Sequence, residues 1–402
     1  MPYLSVSQRH SPKPSSRLPT ALLALYAGML LAGCGGGGST PQSVNITTPA
    51  AVASALNLQL GALDNYAAPA LPAYYDATVS ARDNTTPANP VTDAGATLGR
   101  VLFYDKHLSV NDTVSCASCH AQASGFADTA RFSAGFSGVT FTTAHAMRLG
   151  NARYFRPGSA FWDRRAASLE AQASQPVINA IEMGFDTPHG GIALAVAKLQ
   201  ALPYYPPLFQ LAFGDGTVTE TRMQQALAQF ERSMVSSGSR WDAGYASTFS
   251  ATAPNRGLNA DVPGLTAEEN RGRALFMGGV VSGLNCAACH VPPTFALNAN
   301  ARSNGLDAGE TTVFKSPALK NVALAGAFMH DGRFSTLAQV VEHYNSGMQS
   351  GPALDNRLIG AGGTPRRLNL SAADKAALVA FLGTLTDTAL VADGKFSNPF
   401  RP

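Results

Sequence analysis

At 402 residues with 45% hydrophobic side chains, the chain is long enough for two globular cores. Of its 29 basic residues, three (Arg9, Lys13 and Arg17) precede Cys34 with no acidic partner, and from Cys34 onward the chain balances 26 basic against 26 acidic residues. That neutrality gives nucleic-acid binding no electrostatic support and offers no basic patch for a membrane surface.

The amino-terminal stretch reads as an export signal. Basic residues lead into an apolar run over residues 21–32, too short to span a bilayer as a helix. The run closes on Leu31-Ala32-Gly33-Cys34, which resembles a bacterial lipoprotein signal; cleavage before Cys34 and lipidation of its thiol are what that resemblance implies. Residues 1–33 are therefore expected to be a signal peptide and residues 34–54, rich in Gly, Ser, Pro and Thr, a flexible tether. The expected location is the periplasmic or cell-surface side, held by a lipid on Cys34, with the outer membrane as the anchor.

Residues 94–104 place apolar side chains at helical spacing, and residues 105–113 form a polar loop behind them. The loop leads into Cys116-Ala117-Ser118-Cys119-His120, the attachment signature of a c-type haem: two thiols on one turn take the vinyl groups and the histidine takes the iron. The pattern recurs at Cys286-Ala287-Ala288-Cys289-His290. Two copies, each closed by a histidine, argue against a structural zinc site, so two covalently bound haem c groups are expected, with His120 and His290 as iron ligands. Only Cys34 is left over, and no disulfide is predicted.

The duplication extends beyond the cysteines. Gly99-Arg100-Val101-Leu102-Phe103 matches Gly272-Arg273-Ala274-Leu275-Phe276; Leu149-Gly150-Asn151 matches Leu319-Lys320-Asn321; Trp162-Asp163-Arg164-Arg165 matches His330-Asp331-Gly332-Arg333; and Ser168-Leu169 matches Thr336-Leu337. Such internal similarity predicts two copies of one small haem domain, residues 55–240 and 241–402, in a mainly α fold with long loops. Between them, residues 220–235 read as an amphipathic helix with Met223, Leu227, Phe230 and Met234 on its apolar stripe. Residues 236–264, with Trp241 as a packing residue, read as boundary and linker.

The repeat also compares the two irons. Seven residues beyond Leu169 and Leu337 stand Pro176 and Tyr344. Proline offers no ligand and tyrosine offers an oxygen, so the first iron is expected to be open and the second closed by Tyr344, with His343 and Met348 as nearby rivals. Glu182 is the candidate proton-handling group for peroxide at the open iron. His107, His189 and His10 read as ordinary polar residues, while His330 stands where Trp162 stands in the first copy.

Together with Phe161-Trp162-Asp163, Leu169-Glu170-Ala171-Gln172, Glu182-Met183-Gly184 and His330-Asp331-Gly332, the two haem motifs closely resemble the bacterial di-haem cytochrome c peroxidase and MauG family over about residues 90–390. The resemblance implies two tandem cytochrome c-like domains and a peroxide-reactive amino-terminal haem. It also implies Trp162 as an electron relay between the haems, Gln172 and Pro176 lining the distal pocket, and Glu182 as the acid/base. Two departures stand out. Residues 121–144 hold no histidine to cap the first iron, and His145 falls where the family has an asparagine that helps bind calcium, leaving calcium open and His145 a weaker ligand candidate. Tyr344 stands where typical members place methionine and the MauG branch places tyrosine. The expected function is peroxide reduction at the first haem with electrons passed through the second, from a small cytochrome c or cupredoxin. The alternatives are peroxide-driven oxidation of a protein side chain and a non-catalytic electron-transfer cytochrome; a homodimer stays open.

Overall fold

Helix Asp93–Tyr104 crosses helix Glu220–Ser233 so closely that a Cβ built on Gly99 would stand 2.0 Å from the carbonyl oxygen of Ala226. These elements belong to a computed structural model that describes residues 47–278 and 284–402. The first helix starts at Thr92, whose hydroxyl accepts from Gly95 N at 3.0 Å, and Asp93 complements the helix dipole in its first turn. Phe103 then packs edge-on against Phe230, ring centroids 5.3 Å apart.

The second copy repeats this arrangement. Helix Ala267–Phe276, opened by the reciprocal Thr266 and Glu269 cap, crosses helix Ala372–Gly383. A Cβ on Gly272 would lie 1.9 Å from Ala377 O, and Phe276 meets Phe381 at 5.3 Å. The glycine in each Gly-Arg-x-Leu-Phe motif is thus set by backbone approach at a helix crossing. Asn151 and Asn321 are also equivalent: both are fully buried, both adopt left-handed backbone (φ 60° and 61°), and both use their side-chain oxygen to cap a neighbouring backbone N–H.

One core gathers the helices around Phe103 and Phe230, and a second gathers Trp241, Phe276, Phe295 and Phe381. Segments cross between them: Leu390 and Phe396 join the first core and Tyr74 joins the second. The fold is mainly α, and the one sheet among the described residues pairs His290–Val291 with Ala296–Leu297.

Two expectations need correction. Residues 50–54, read as the end of a tether, belong to helix Ala50–Ala55 because Val52 and Leu56 find places in the first core. The stretch read as a linker contains helix Arg240–Thr248, capped by Ser239, whose fully buried Trp241 stacks on Tyr245 at 4.6 Å. The polar residues that make it look like a loop form instead a buried network in which Asp242 accepts from Lys320 Nζ, Ser239 N and Tyr74 OH. The stretch expected to be a signal peptide and Cys34 lie outside the described residues. No described helix is long and apolar enough to cross a membrane.

Helix propensity alone favours alanine over glycine by about 1 kcal/mol. Gly272→Ala is nevertheless expected to destabilise the holoprotein by about 1–3 kcal/mol through overpacking, read as a lowered denaturant midpoint at unchanged slope. A stabilised variant would contradict the tight crossing.

Candidate functional site

The short helix Cys116–Cys119 holds its two thiols one turn apart, and His120 leaves it in a non-helical conformation. The imidazole Nδ1 donates to Phe126 O at 3.3 Å, so Nε2 keeps its lone pair for a ligand. Burial pushes His120 down to about 4, which keeps the ring neutral. His120 and Cys119 line a cavity of about 360 Å³. Gln172, Pro176 and Glu182 line it too. Ser168 caps the helix that carries Gln172 by accepting from Ala171 N at 3.1 Å. Asn179 Oδ1 accepts from Ile181 N (2.8 Å) and Glu182 N (3.1 Å) and, with Gly184 at φ 83°, folds the turn that presents Glu182. Burial raises the Glu182 carboxyl above its ordinary value, while Arg165 opposes this.

A second cavity of about 590 Å³ is lined by Cys286, Cys289, His290 and Tyr344. Asn285 caps the cysteine turn by accepting from Ala288 N at 3.0 Å. His290 is held neutral, at about 4, by burial and by Arg148, and its buried Nδ1 has no partner. Tyr344 sits in the turn His343–Gly347, where its hydroxyl accepts from Asn304 Nδ2 at 3.4 Å and burial raises its pKa well above the ordinary value. The rivals point elsewhere. His343 Nε2 donates to Asn304 O at 3.1 Å and Met348 is fully buried, and neither lines the cavity.

Both cavities fit a haem. Their volumes fall within the range of about 300–1,000 Å³ usual for ligand sites, the first is lined by the Cys119 thiol and the second by both Cys286 and Cys289, each with a neutral imidazole, and the guanidinium Nε atoms of Arg148 and Arg366 are buried among their walls without a partner in the chain. Unpartnered buried cations suit the carboxylates that a haem carries. Cys119 and His120 line one cavity and Cys286, Cys289 and His290 the other; among the described residues the one three-ligand grouping is Asp307, Glu310 and His330.

Trp162 belongs to both cavities, together with His145, Arg148, Phe314, Lys315 and His330. Its indole N–H donates to His145 O (2.7 Å), His145 N donates to His330 O (2.9 Å), and Lys315 N donates to Trp162 O (2.6 Å). Phe314 stacks on His330 at 3.8 Å, and Trp162 meets the same ring edge-on at 6.4 Å. His145 faces both cavities; its Nδ1 donates to Ala130 O at 3.0 Å and its buried Nε2 has no partner. A calcium ion takes six to eight oxygen ligands. The polar side chains of this wall are imidazoles, an indole, the cations Arg148 and Lys315, and Ser316, the one side chain among them that offers an oxygen.

The structure thus brings the sequence-predicted residues into two cavities with a common wall. His107 pairs with Asp105 at 2.7 Å and His189 with Asp186, as expected of ordinary polar residues. Sequence reasoning missed Arg148, Lys315 and Glu231, the last a buried carboxyl on the first cavity. Lys315 and Arg148 lie in loops whose burial has no periodic signal, and Glu231 sits beside the apolar stripe of its helix rather than on it.

The sequence profile of the di-haem cytochrome c peroxidase family matches residues 93–248 and 267–355. The methylamine utilization protein MauG of Methylorubrum extorquens is 33% identical over 315 residues, covering 74% of this chain and 80% of its own. The cytochrome c551 peroxidase of Nitrosomonas europaea is 29% identical, covering 72% and 82%. A crystal structure of a MauG-like protein associated with microbial copper homeostasis superposes with a TM-score of 0.63 at 29% identity, over 79% of this chain and 96% of that one. With the profile spanning more than half of its length and the haem motifs in two matching cavities, the chain belongs to the di-haem cytochrome c peroxidase family.

Proposed function

We propose that the chain is a hydrogen peroxide-dependent oxidoreductase with one covalent haem c in each cavity, built as two tandem cytochrome c-like domains over residues 55–240 and 241–402. Peroxide is reduced in the first cavity and electrons enter through the second. The observation that carries this reading is the unequal lining of two otherwise matching cavities: Gln172, Pro176 and Glu182 on the first, Tyr344 on the second. The protein is exported and held at the membrane by a lipid on Cys34.

When bound, haem supplies an iron that accepts peroxide and changes oxidation state. The residues divide the remaining work. Pro176 offers no ligating atom and leaves room for peroxide beside Glu182. The Glu182 carboxylate takes the proton from one peroxide oxygen and returns it to the departing oxygen, and the Gln172 amide orients the peroxide by hydrogen bonding. Trp162, held by His145 O and touching the rings of the wall, relays electrons between the cavities. Tyr344 would supply the oxygen ligand to an iron held at the second site, losing its proton on binding, and a phenolate there would favour high oxidation states.

The electron donor is a small redox protein, a cytochrome c or a cupredoxin. A second reading, oxidation of a partner protein's side chain in the manner of MauG, is favoured by Tyr344 on the second cavity. Tyr344→Met separates the two: a cytochrome peroxidase keeps or gains turnover with reduced cytochrome c, and a side-chain oxidase loses its modifying activity.

Glu182→Gln is expected to lower peroxide turnover about 10²–10⁴-fold, the usual worth of a general acid–base; turnover within a few-fold of wild type removes the assignment. Because the carboxylate must be ionised to accept the proton, kcat/KM should fall as pH drops through the raised pKa of Glu182. That acid limb should lie above the ordinary glutamate value of 4.5 and vanish in Glu182→Gln. A limb at or below that value would place the proton-handling group elsewhere.

A further inference from the structure

Reducing one peroxide to two waters consumes two electrons and two protons. Glu182 takes and returns a proton that peroxide itself brings, so it supplies none of the two. The first cavity needs a separate proton source.

Glu231 meets that need. It lies in helix Glu220–Ser233, is only 6% exposed and lines the first cavity. Its Oε2 is buried without a hydrogen-bond partner. The nearest cation on its own helix, Arg232, is engaged elsewhere: it forms a bidentate pair with Glu170 (2.5 and 3.0 Å) and donates to Asn84 at 3.0 Å. Lys315, also 6% exposed, lies on the same cavity without forming an ion pair with Glu231; its ammonium donates to Ser159 O at 3.0 Å and lies 4.8 Å from the Phe155 ring. Glu231 and Glu182 both line this first cavity.

We propose that Glu231 is the internal proton donor of the first cavity, releasing one carboxylic proton to the reduced oxygen for each electron delivered and regaining it from solvent between rounds. This rests on the peroxide-reducing function proposed above. The balance is H₂O₂ plus two protons plus two electrons to two H₂O, the electrons coming from a one-electron donor protein and the protons from the Glu231 carboxyl in two rounds. After each release the charges of Arg232 and Lys315 offset part of the carboxylate's cost in a buried site. The charges around Glu231 suit such cycling. Burial pushes Glu231 up to about 7 while Arg232 and Lys315 hold it down and Glu170 raises it. Burial pushes Lys315 down to about 8, with Glu231 opposing and Arg164 assisting.

The test uses the intact di-haem protein. Infrared spectroscopy of the resting enzyme should show the carbonyl stretch of a protonated carboxyl at pH 6 that disappears in Glu231→Gln and titrates near neutrality. In Lys315→Met that titration should move to higher pH. Glu231→Gln should slow donor-driven turnover about 10²-fold, the lower end of the range for proton transfer, raise the solvent deuterium isotope effect, and slow the single-turnover reaction with peroxide less. Absence of the band, or unchanged turnover and isotope effect in Glu231→Gln, overturns the proposal. Failure of the underlying peroxide reading shows separately, as a single-turnover peroxide reaction that Glu182→Gln leaves unchanged.

Discussion

The wall between the two cavities is the constraint on which the arrangement depends. Its aromatic and cationic side chains are fixed through backbone groups: the Trp162 indole by His145 O, the His145 strand of chain by His330 O, and Lys315 by Trp162 O. The last two of these bonds join a residue of the first copy to one of the second. Neither cavity can change shape at this wall without moving the other, because a buried backbone donor left without a partner is costly. The coupling is local and mechanical, and it places Trp162 and His330, which are equivalent positions in the repeat, in edge contact.

Much of this is legible in the sequence because the chemistry demands particular residues. Thiols one turn apart before a histidine have few other uses, and the glycine of the Gly-Arg-x-Leu-Phe motif recurs because both helix crossings bring a carbonyl within 2.0 Å of where a Cβ would be. Counting along the repeat selects Tyr344 over His343, and the direction of the two side chains agrees with it. Residues 236–264 mislead because Ser239 and Asp242 look like loop residues, whereas they form a buried cap around Lys320 that only tertiary contacts reveal. Glu231 and Lys315 are invisible for a related reason. A charged residue is buried when another part of the chain makes room for it, and neither has its partner within helical reach.

Duplication and then unequal specialisation account for the site. The scaffold elements stayed equivalent: the glycine crossings, the left-handed asparagines, and the Ser168 and Thr336 helix caps. The side chains facing the two cavities diverged. In the proposed reading, the first cavity keeps carboxyl and amide groups and no ligand at Pro176, while the second gains a phenol at Tyr344. Protons are then handled on one side and electrons delivered from the other.

Electron paramagnetic resonance of the resting ferric holoprotein tests this division most directly. The account predicts one high-spin signal, from an iron held by His120 with its far side vacant, and one low-spin signal, from an iron held by His290 and Tyr344, with the low-spin signal altered in Tyr344→Met. Two low-spin signals with no high-spin component would contradict it.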